Sequence, residues 1–84
     1  MLSVFEVHLV PGSDTSSLIS DEIKKETKAQ VMTVAEAKAV GFGGLPDLGP
    51  DVRLIAVAKR DGQWIQRALE RSEIVSGFKI HEVD

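Results

Sequence analysis

The 84-residue chain has no cysteine and no tyrosine, one tryptophan, three phenylalanines and three prolines. Without cysteine there are no disulfides, no thiolate-bound zinc and no thiol nucleophile. A secreted domain this small usually needs such staples, so a cytoplasmic setting is expected. No apolar run approaches the length of a membrane span. The opening MLSVFEVHLVPG lacks a basic n-region, and Glu6 and His8 interrupt its apolar run, so it does not read as a signal peptide. Positive charge is also scarce. Ten Lys and Arg stand against thirteen Asp and Glu, a net charge of −3, and they are scattered along the chain. With no basic stripe and few rings for base stacking, a nucleic-acid partner is not expected.

What is present suffices for one core. Hydrophobic residues make up 43 % of the chain, and the length predicts a single domain over residues 1–84. A domain of this size buries about 60–65 % of its unfolded surface, so the core is thin.

Residues 3–10, SVFEVHLV, alternate: Phe5, Val7 and Leu9 point one way, and Val4, Glu6, His8 and Val10 the other. That is a half-buried strand. PGSD ends it and supplies caps for a helix over 14–28, with Leu18, Ile19 and Ile23 along one side. Residues 43–51, GGLPDLGPD, read as a loop, and VRLIAVAK (52–59) as a central strand apolar on both faces. Asp61 is placed to cap a helix over about 62–72, where Trp64, Ile65, Ala68 and Leu69 form one stripe. Ser76-Gly77 breaks the chain before FKIHEV (78–83), whose Phe78 and Ile80 point inward.

The stretch between, MTVAEAKAVGFGG (32–44), supports two readings. As a helix, Thr33 caps it, Glu36 closes a capping box and Gly41 stops it; AEAKA is good helix material and poor strand material. As a strand it completes the order βαββαβ, a ferredoxin-like α+β sandwich with a four-stranded antiparallel sheet and two helices on one face.

Met32-Thr33-Val34, Glu36, Lys38 and Gly41-Phe42-Gly43 resemble the second strand of the nitrogen-regulatory PII proteins, which reads roughly G-M-T-V-x-E-x-K and runs into G-F-G. Lys79-Ile80 is similar to the K-I of that family's G-D-G-K-I-F-V segment. The resemblance implies the strand reading of 31–42. It also implies a non-enzymatic regulatory or ligand-binding oligomer, with Thr33, Gly41, Gly43 and Lys79 lining an anion or nucleotide cleft between subunits. Ligand capture would alter the order of the 41–51 loop and a partner contact. Two features depart from the family: the 43–51 loop is short and carries no tyrosine, and the glycine-rich phosphate loop shrinks to Ser76-Gly77-Phe78-Lys79. SEIVSGFKIHEVD and the strand order also resemble the small PurS subunit of formylglycinamidine synthetase, which implies the alternative of an accessory subunit in a larger complex.

The side chains point to no catalysis. No serine sits in a G-x-S-x-G elbow, and the paired carboxylates fall in exposed helix patterns. His8 and His81 would share the uncovered face of neighbouring strands with Glu6 and Lys79. That trio suits a metal, but two surface histidines are the plainer account, and no metal or cofactor is expected. The same face would carry Val4, Val10, Leu54, Ala56 and Val83 in water, so a homo-oligomer through the open sheet face is expected.

Overall fold

The computed structural model describes residues 2–14, 18–41 and 51–83. Strand β1 (Leu2–Leu9) leads to helix α1 (Asp21–Thr27), strand β2 (Gln30–Thr33), helix α2 (Val34–Ala39), strand β3 (Val52–Ala58), helix α3 (Gly62–Arg71) and strand β4 (Val75–Val83). The sheet is antiparallel in the order β2-β3-β1-β4. The four-stranded antiparallel α+β fold expected from the βαββαβ order is therefore present.

The ambiguous stretch is both things in turn. Gln30–Thr33 forms the second strand, and Val34–Ala39 forms a helix. The capping box is complete: the Glu36 N–H donates to Thr33 Oγ1 at 3.1 Å, and the Thr33 N–H donates to Glu36 Oε1 at 3.1 Å. Gly41, with φ +108°, takes the chain out of the helix in a region side-chain-bearing residues avoid. The strand reading of 31–42 thus fails beyond Thr33. Local capping chemistry decides those residues, and four residues are enough to give the sheet its fourth strand.

Helix α1 is shorter than the expected 14–28. Ser20 caps it, accepting from the Ile23 N–H at 3.4 Å. Thr27 ends it by donating to the Ile23 carbonyl at 2.6 Å and accepting from the Ala29 N–H at 3.3 Å, which turns the chain into β2. Ser76-Gly77 does not break the chain; both lie inside β4.

Helices α1 and α3 cover one sheet face. Phe5, Val7 and Leu9 of β1 and Ile55 and Val57 of β3 pack there with Leu18, Ile19, Ile65 and Leu69. Trp64, expected in the apolar stripe of α3, is 48 % exposed and lies beneath Arg67, whose guanidinium carbon is 5.6 Å from the ring centre. Helix α2 lies on the opposite face, where Ala37 closes over Val4, Met32 and Leu54. That helix, the other reading of 32–44, adds a third to the two helices of the sandwich, and it buries part of the strip that a second copy was to cover. Val4 and Leu54 are out of solvent, while Val10 stays exposed. Among the described residues no helix is long and apolar enough to cross a membrane.

Candidate functional site

Side-chain alternation along β1 places Val4, Glu6 and His8 on the face that carries α2. The half of this face toward β4 lies beyond the cluster of Val4, Met32 and Leu54 that α2 closes. There β1 and β4 pair so that Glu6 sits opposite Lys79, Val4 opposite His81 and His8 opposite Gly77. Three titratable side chains meet as a result. His8 Nε2 lies 2.6 Å from one Glu6 oxygen, and His81 Nε2 lies 3.2 Å from the other.

The Glu6 side chain is only 6 % exposed, whereas those of His8 and His81 are 42 % and 38 % exposed. The carboxylate is thus buried behind two imidazoles that still reach water. The hydrogen bond from His8 holds the Glu6 carboxyl below its ordinary range; burial opposes this, and the bond from His81 reinforces it. A buried carboxylate satisfied at both oxygens is a stable anion. It also fixes both rings, because each spends its Nε2 on Glu6.

Among the described residues no group of three His, Asp or Glu side chains is disposed to hold an ion. Both Nε2 atoms address the carboxylate and do not converge with it on a common point.

The residues expected to line a cleft are dispersed. Thr33 and Gly41 flank α2 and serve it, one as cap and one as exit. Lys79 lies on β4, at the opposite edge of the sheet, with β3 and β1 between. Three strand spacings of about 4.8 Å separate β2 from β4, so one chain does not bring Thr33 and Lys79 together. Gly43 lies outside the described residues. The meeting of Glu6 with both histidines was legible in part: alternation put them on one face, but only the β1–β4 register shows that one carboxylate takes both rings.

A separate cleft of about 520 Å³ lies where β2 begins, with Leu2, Met32, Val40 and Ala56 along its apolar side and Lys28 and Arg60 at its margin. It contains none of the expected ligand residues. No family model, no curated protein and no solved structure matches this chain.

Proposed function

We propose that the chain is a small non-enzymatic regulatory or ligand-binding protein of the cytoplasm, one that works as an oligomer and captures an anionic ligand at Lys79 between subunits, as the resemblance to PII proteins implies. The observation that carries this is the pairing around Glu6. Both of its oxygens are taken by imidazoles, and Lys79, its cross-strand neighbour, has no ion-pair partner among the described residues. An exposed lysine is a point-charge partner for a phosphate or carboxylate.

Calorimetric titration with ATP, ADP and 2-oxoglutarate tests the reading. Heat is expected with at least one of the three, and Lys79→Gln should weaken that binding about ten-fold or more, as loss of a charge-assisted contact of roughly 1.5–3 kcal/mol would do. No heat from any of them, or equal binding by the variant, sinks it.

A further inference from the structure

We propose that β4 pairs edge to edge with β4 of a second copy of this chain, antiparallel and centred on Ile80, so that the sheet continues across a two-fold axis. This rests on the reading of the protein as an oligomeric anion binder and supplies its interface.

The two edges of the sheet differ. The β2 edge is four residues long, and the chain turns from it directly into α2. The β4 edge runs for nine residues and has only β1 beside it. A free edge of that length presents a row of unpaired N–H and C=O groups, which proteins ordinarily shorten, bulge or cover. The one irregularity in the β1–β4 ladder falls between His8 and Leu9, at the Val75 end, and leaves 77–83 regular. Ile80 sits in the middle of that regular stretch. It lies opposite Phe5 on the face that α1 and α3 otherwise cover, yet it is 44 % exposed. A large β-branched side chain is thus left in water at the one place where a neighbouring strand would cover it.

The side chains favour a second copy as that neighbour. A two-fold axis perpendicular to the sheet keeps each face continuous. With Ile80 on the axis, it packs against Ile80 of the second copy, and Lys79 falls opposite the second copy's His81. Centring one residue earlier would set Lys79 against Lys79, and centring one residue later would set His81 against His81. The first would pair Ile80 with Phe78 of the second copy but sets two lysine charges directly opposite, which destabilises a pair, and the second sets Ile80 against Glu82. The Ile80 register also sets the two Lys79 residues diagonally across the axis, about 7–8 Å apart, on the face that carries Glu6, His8 and His81. Neither lysine has an ion-pair partner among the described residues of its own chain, so they repel until an anion with two charged groups spans them. Anion binding and strand pairing are therefore linked, each strengthening the other.

Light scattering on the full chain, with and without inorganic pyrophosphate, tests this. The expected mass is about twice the 9.1 kDa of one chain at micromolar concentration, with a dimer dissociation constant that falls roughly ten-fold in millimolar pyrophosphate. Ile80→Lys should give a monomer under both conditions. Lys79→Gln should still dimerise and lose the response to pyrophosphate. A one-chain mass at every concentration overturns the proposal, and if that monomer binds pyrophosphate the anion-binding reading stands without it. A dimer that survives Ile80→Lys overturns the β4 pairing and leaves the oligomer reading standing. Should Ile80→Lys fail to fold, a mixed-isotope sample of the unmodified chain decides. Intermolecular contacts between the two Ile80 side chains are expected, and a dimer with none from β4 overturns the proposal.

Discussion

The two faces of the sheet solve the same problem with unequal means. On one, α1 and α3 close over a cluster that includes Phe5, Val7, Ile55, Ile65 and Leu69, with Ile23, Ala68 and Phe78 packed around it. On the other, the six-residue helix α2 covers Val4, Met32 and Leu54 through Ala37, its buried residue. Beyond α2 the second face stops being apolar, and a buried carboxylate held by two histidines takes the place of a core. The first face holds the larger cluster; the second holds a smaller one beside the Glu6 pairing. In a chain this short, where total stability is about 5–15 kcal/mol, such a division is affordable only if the first face is packed without gaps.

Truncations at the centre of each face should separate them most clearly. Ile65 is fully buried between α3 and the sheet. Ile65→Ala should cost about 4–5 kcal/mol in urea unfolding, near the upper end for such changes. Leu54 is equally buried, but the helix above it is short and can settle into the space left behind. Leu54→Ala should cost about 2–3 kcal/mol, because the penalty tracks the cavity that remains. Equal costs would abolish the distinction between a rigid face and a yielding one.

Next in size is the Glu6 cluster. Glu6→Gln keeps the volume but loses two charge-assisted hydrogen bonds, and should cost about 1–3 kcal/mol at neutral pH. The sign with pH follows from the direction of the shift. Glu6 titrates lower in the folded chain than in the unfolded one, so its stabilisation is complete above the ordinary glutamate value of about 4.3. It is lost as pH falls from there through the lower folded value. Unfolding measured between pH 6 and pH 3 should show that acid-dependent loss in the native sequence and a flatter profile in Glu6→Gln. Matching profiles would mean that the cluster contributes nothing.

A smaller effect is expected at Thr33→Ala, which removes one half of the capping box and should cost about 1 kcal/mol. Hydrogen exchange should speed up in α2 and not in α3, since the damage belongs to the second face. The smallest effect is expected at Trp64→Ala. Half exposed and outside both clusters, Trp64 should cost about 0.5–1 kcal/mol, mostly from its contact with Arg67. A loss as large as that of Leu54→Ala would place Trp64 in the core after all.

Much of the first face was readable before any coordinates, because the alternation of Phe5, Val7 and Leu9 and the helical spacing of Ile65 and Leu69 are local patterns. The second face was harder for two physical reasons. Helix and strand over 32–44 were weighed as exclusive readings of one segment, whereas the chain spends Gln30–Thr33 on the strand and starts the helix at once, with Thr33 serving both. The alanines that argued against a strand were right about residues 34–39 and silent about the four before them. Glu6 was read as a polar residue on an open face. Its burial depends on the register between residues seventy-five positions apart, and no local pattern carries that. Ile80 shows the converse: its parity points inward, but at an unpaired edge the inward side is still wet.

The most direct test of the two-face account is a set of NMR contacts around Ala37. If α2 closes the second face, Cα shifts over 34–39 are helical, and the Ala37 methyl shows contacts to both Val4 and Leu54. Extended shifts over 34–39, with no contact from Ala37 to either side chain, would contradict it.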